Sequence, residues 1–178
     1  MITLKQKIEA CSKCPLRAKL TEFEKPNFGV GSNKPKVMIV IDNNTSDSSF
    51  LIDGLKLEYL EKNLKKYSID KSDLYITPLV KCARKPTVKS FKECEVWIKE
   101  EIREFKPSAL IFISAFNFLT NNPGFAVECL KYLPHNKDLD IFHNLKYFNT
   151  SLAKLANSSS EDKKYTHEIF TKIKEYCA

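Results

Sequence analysis

LYITPLVKCARKPTVKSFKEC, Leu74 to Cys94, decides how this chain is read. It opens with Tyr75 and Thr77 set among Leu74, Ile76, Leu79 and Val80, a β-favouring run that predicts a buried strand. It then passes Cys82 and a basic loop carrying Lys81, Arg84, Lys85 and Lys89, closed by Pro86. It ends on Cys94, where a helix is predicted to begin and run to Phe105. Far upstream stands a second pair, Cys11-Ser-Lys-Cys14, so the cysteine pattern is a CxxC knuckle followed by two single thiols.

Four cysteines drawn from two distant segments suit a tetrahedral zinc or an iron–sulfur cluster, since soft thiolates favour both. Structural zinc sites usually pair two short knuckles, whereas the second pair here is spread over a long loop, an irregularity that a cubane cluster tolerates better. Unrelated buried thiols are the plainer alternative, because free cysteine is often a small core hydrophobe. Disulfides are disfavoured, as nothing marks the chain as secreted.

Outward from that stretch, residues 2–10 read as a short amphipathic helix running into the knuckle, and 21–36 as loop with Pro26, Gly29, Gly31 and Pro35. Val37 to Ile41 is a continuous apolar run, the mark of a strand covered on both faces. A polar tract from Asp42 to Ser49 follows it, where α/β folds place ligands. Leu51 to Tyr67 reads as a helix, Ala109 to Ile113 as another buried strand and Leu139 to Phe142 as a short last one. Short helices are predicted over 116–119, 125–133, 151–156 and 165–176. The strand–helix alternation argues for a parallel sheet with helices on both faces, in a single domain over 1–178 with no linker and no repeat.

The chain has 178 residues, enough for a proper core, and 29 Lys and Arg against 22 Asp and Glu give a formal charge of +7. That balance favours a polyanionic partner. Met1 to Ala10 lacks the apolar core of a signal peptide, and no apolar run reaches membrane-spanning length. No membrane association is expected, and a reducing cytoplasm is (a host's, if the protein is virus-encoded).

CxxCPLR at Cys11 to Arg17, VMIV at Val37 to Val40, and YITxxVKC at Tyr75 to Cys82 together resemble the family 4 uracil-DNA glycosylases. The resemblance covers about residues 8–150. It implies a three-layer α/β/α sandwich around a central, mostly parallel four-stranded sheet. It also implies a [4Fe-4S] cluster on Cys11, Cys14, Cys82 and Cys94, tying the N-terminal segment to the 82–94 loop. Zinc stays open as the alternative metal.

Excising uracil requires a donor at the base carbonyl, an aromatic wall, an amide that reads the base edge and a group to orient water, around a base flipped from the duplex. The resembled family takes these from a GEAPG-like loop, a PFVG-like Phe, the Asn of YITNxVKC and an HPS-like His. Here the first strand runs into Ile41-Asp42-Asn43-Asn44, so Asp42 stands where the family has its acid, or else simply caps a turn. Phe50 falls near the stacking aromatic, or in the core. Pro78 replaces the base-reading Asn, and proline has neither a side-chain amide nor a backbone N–H. Thr77 beside it should point to the opposite face. His143, in Phe142-His143-Asn144-Leu145, could still donate to a base carbonyl or be a structural residue; Leu145 could wedge the base stack.

The basic residues outlast the catalytic ones. Lys81, Arg84, Lys85, Lys89 and Lys146, with Leu145, form the expected DNA-binding set, and Lys34 and Lys36 precede the first strand. The reading is therefore a cluster-bearing glycosylase-like protein that has lost uracil excision. It would bind DNA or serve as an accessory subunit beside a polymerase or another replication, repair or transcription protein. The alternatives are an active glycosylase of altered base specificity using Asp42, Phe50 and His143, and a zinc-stapled protein-interaction module. Cys129 and Cys177 are expected to be inert buried thiols.

Overall fold

The computed structural model describes residues 2–20, 26–41, 61–82, 87–114, 123–132, 138–143 and 160–178. Five strands lie in the order β1-β3-β2-β4-β5: β1 is Val30–Gly31, β2 Val37–Ile41, β3 Leu74–Pro78, β4 Ala109–Ser114 and β5 Asp138–His143. The last four are parallel, and β1 pairs antiparallel with β3 on the outer edge. The sequence anticipates the four parallel strands and misses β1. Gly31 makes that edge pairing feasible: its φ is +125°, and a Cβ there would run into the Leu74 carbonyl oxygen. Such a two-residue strand carries no hydrophobic period to read.

Side chains alternate across the sheet as strand geometry requires. Met38, Val40, Tyr75, Leu110 and Phe112 point into one core, and Val37, Ile39, Leu74, Ile76 and Ile111 into the other. Against the first core pack α1 (Leu4–Glu9), α3 (Val88–Phe105) and α4 (Pro123–Cys129), through Ile8, Trp97, Ile98, Ile102, Phe125 and Cys129. Against the second pack α2 (helical over residues 61–66) and α5 (Ser160–Cys177), through Leu64, Ile169, Phe170 and Ile173. This is the expected three-layer α/β/α arrangement.

Helix boundaries follow their caps. Thr3 caps α1 in a capping box with Gln6. Thr87 caps α3 by accepting from the Ser90 N–H, while the Ser90 hydroxyl accepts from the Thr87 N–H. That cap starts α3 at Val88, so Cys94 lies inside the helix and not at its start as expected. The far end is as read: Lys106 takes a left-handed conformation and its N–H closes on Ile102 O before Pro107. The helix predicted over 165–176 begins earlier, as α5 from Ser160. The predicted helices at 116–119 and 151–156 lie outside the described residues, as does most of 51–67.

Candidate functional site

Parallel pairing brings the carboxyl ends of β2 to β5 to one edge. Ile41 stands beside both Pro78 and Ile113, and Ser114 stands beside His143. Three of the sequence-marked positions therefore share this edge: Pro78, His143 and the exit of β2 into Asp42. Asp42 itself, Phe50, Arg84, Lys85, Leu145 and Lys146 lie outside the described residues.

At this edge β3 carries no base-reading amide. Thr77 is fully buried, and its hydroxyl lies 3.1 and 3.0 Å from the two Glu101 carboxylate oxygens. The same hydroxyl accepts from Lys81 Nζ at 2.6 Å. Tyr75 OH donates to Glu101 at 3.0 Å. Both hydroxyls are thus turned inward toward α3, away from Pro78, as strand alternation requires.

Lys81 corrects an expectation. Its place in the sequence puts it on the DNA-facing basic loop, yet it is 1% exposed and its Nζ meets both Glu101 oxygens, at 2.8 and 2.7 Å. Its neighbours explain this: Leu79, Val80 and Cys82 are all buried, and the chain folds inward past the strand end. Burial pulls the Lys81 ammonium below the ordinary lysine range, with Glu101 working against it. Burial and the Glu101 charge push Tyr75 upward. Lys36 is likewise not on the site edge. It precedes β2 at the opposite end of the sheet, donates to Cys177 O at 2.5 Å and faces Asp73 at 3.5 Å. Lys34 shares that end. Lys89, in the first turn of α3, is exposed as expected.

The four sequence-marked cysteines share one neighbourhood in the first core. Cys14, Cys82 and Cys94 are buried and Cys11 is half-buried, all as free thiols. α1 delivers Cys11, whose N–H closes on Ile8 O at 3.0 Å. The bend after β3 delivers Cys82, and the second turn of α3 delivers Cys94. Burial first, then the charges of Cys94, Cys14 and Cys11, push the Cys82 thiol up to about 12, with Arg17 opposing. Burial pushes Cys94 up to about 11, opposed by the backbone N–H of Lys81. Thiols that feel one another's charge in this way must be deprotonated by whatever they bind. Among the described residues no group of three or more His, Cys, Asp or Glu is arranged to hold a metal ion.

Two contributors went unrecognised in the sequence. Trp97 Nε1 donates to Cys11 Sγ at 3.2 Å, and Glu101 holds the residue next to Cys82. Cys94, Trp97, Ile98, Glu101, Ile102 and Phe105 recur at the three- and four-residue spacing of one helix face, so a Glu on that stripe was the available signal. Cys129 is buried beside Phe125, as expected of an inert thiol, whereas Cys177 is only half-buried. Of the histidines other than His143, His167 Nδ1 pairs with Tyr67 OH at 2.8 Å, and His135 is outside the described residues.

A doubly covered parallel sheet with its candidate residues along the carboxyl edge defines an α/β domain of the ligand-at-the-strand-ends class. The sequence model of the Uracil DNA glycosylase superfamily matches residues 28–170, and the chain belongs to that family. Cys11 and Cys14 precede the matched segment. No curated protein matches the chain. Among the described residues no helix is long and apolar enough to cross a membrane.

Proposed function

We propose that this chain is a cluster-bearing member of its superfamily that binds DNA without excising uracil, acting as an accessory protein of replication, repair or transcription. The end of β3 carries the reading. Selecting uracil needs a paired donor and acceptor beside the flipped base. Pro78 offers neither from its side chain, and the adjacent Thr77 hydroxyl is committed to Glu101 and Lys81.

The DNA half of the reading rests on the family's action on DNA and on the formal charge of +7. Lys89 is exposed in a first helical turn that carries no acidic residue. The metal half rests on the donor set. Cys11, Cys14, Cys82 and Cys94 would hold a [4Fe-4S] cluster, which would supply a rigid anchor between the N-terminal segment and the β3–α3 connection. Such a cluster takes one thiolate per iron, and the spread of Cys82 and Cys94 along one long connection suits it better than a zinc held by two short knuckles.

An excision assay tests the functional claim. Duplexes and single strands carrying uracil, modified pyrimidines or mismatches are incubated with the chain and with His143→Ala. No base release from uracil DNA is expected. His143-dependent release of uracil would overturn the proposal, and release of another base alone would establish a glycosylase of altered specificity.

A further inference from the structure

We propose that Trp97 is a positioning residue for the thiolate centre: its indole N–H holds the Cys11 sulfur and, by donating to it, favours the reduced form of the cluster bound there. The inference rests on the reading above that the four thiolates bind an iron–sulfur cluster. Cys11 needs such a hold more than its companions do. It is the half-exposed member of the set and follows a six-residue helix anchored in the core by Ile8.

Trp97 is placed to supply it. It lies one turn beyond Cys94 on the same face of α3, so one helix presents both a ligand and a donor aimed at a second ligand. The indole is 9% exposed, and a buried indole N–H needs an acceptor. The acceptor here is the Cys11 sulfur at 3.2 Å. Lys13, inside the knuckle, sets its ammonium over the indole, 6.0 Å from the ring centre, a second contact between the knuckle and this ring. A hydrogen bond to a thiolate is strongest when the sulfur carries most negative charge. That condition is met in the reduced cluster, which is why donors to sulfur raise the reduction potential.

The test uses the full chain reconstituted anaerobically with ferrous iron and sulfide, and reads the midpoint potential by dye-mediated titration, with iron content measured alongside. Trp97→Phe keeps the ring and removes the donor. Its reduction equilibrium should move roughly tenfold toward the oxidised form, which is ~59 mV more negative for a one-electron couple. The chain has a single tryptophan, so growth on a ring-fluorinated tryptophan alters this N–H and no other indole. Fluorination makes the N–H more acidic and the donor stronger, so the potential should rise.

Opposite shifts at unchanged iron content support the proposal. Unchanged potentials in both proteins overturn it while leaving the cluster reading intact. If Trp97→Phe loses its iron, the fluorinated protein decides alone, an upward shift supporting the proposal and no shift overturning it. A wild-type chain that takes up neither iron nor sulfide overturns the cluster reading, and this inference with it.

Discussion

Lys81 and Glu101 form an ion pair sealed from solvent, Nζ to Oε2 at 2.7 Å, with both side chains at most 1% exposed. Lys81 immediately precedes Cys82, and Glu101 lies two helical turns past Cys94 on the same face of α3. The pair therefore fixes the spacing of two thiols carried on different elements. Removing one partner strands a buried charge, which costs about 3–5 kcal/mol. Glu101→Gln and Lys81→Met should each lose roughly that much in urea unfolding. The double variant Lys81→Met/Glu101→Leu should recover a good part of it. Equal, additive losses in the cycle would show the two groups to be independent.

Pro78 is where base reading fails, so restoring an amide there should be felt. Pro78→Asn sets a polar side chain at a buried strand end beside Ile41 and should still fold, at a cost of about 1–3 kcal/mol. It should also gain a preference for uracil over thymine in single-stranded binding competitions. Equal affinity for the two strands would mean that the lesion lies elsewhere on the edge.

Phosphate contacts should separate the two ends of the sheet. Lys89→Glu should weaken duplex binding and lower the slope of log affinity against log salt by about 1 for each phosphate left without its cation. Lys36→Glu, at the far end and already engaged with Asp73 and the Cys177 carbonyl, should leave the slope unchanged. Identical slopes for all three proteins in a salt titration would contradict a directed interface.

Gly31 tests the β1 edge. A side chain there meets the Leu74 carbonyl in a backbone conformation that L residues rarely adopt. Gly31→Ala should therefore cost about 1–3 kcal/mol in denaturant unfolding. A neutral result would mean that β1 separates from β3 at little cost.

The parallel core was legible because Val37 to Ile41 and Ala109 to Ile113 are unbroken apolar runs, which only a sheet covered on both faces accommodates. The neighbourhood of the four thiols was legible from the knuckle and the two later cysteines. Lys81 was misread because a charged residue in a basic loop looks solvated until its partner is seen, and Glu101 lies twenty positions away on another element. The start of α3 was misread because Thr87 and Ser90 form a capping box in which a serine replaces the usual Glu or Gln. Asp42 and Phe50 rest on the resemblance alone.

Iron and acid-labile sulfide analysis of the chain purified without oxygen tests the central claim most directly. Binding by Cys11, Cys14, Cys82 and Cys94 predicts a brown protein with about four of each per chain and broad absorption near ~400 nm that bleaches in air. It also predicts loss of both when Cys82 becomes serine. A colourless preparation holding zinc, or iron retained in Cys82→Ser at the wild-type level, would contradict it.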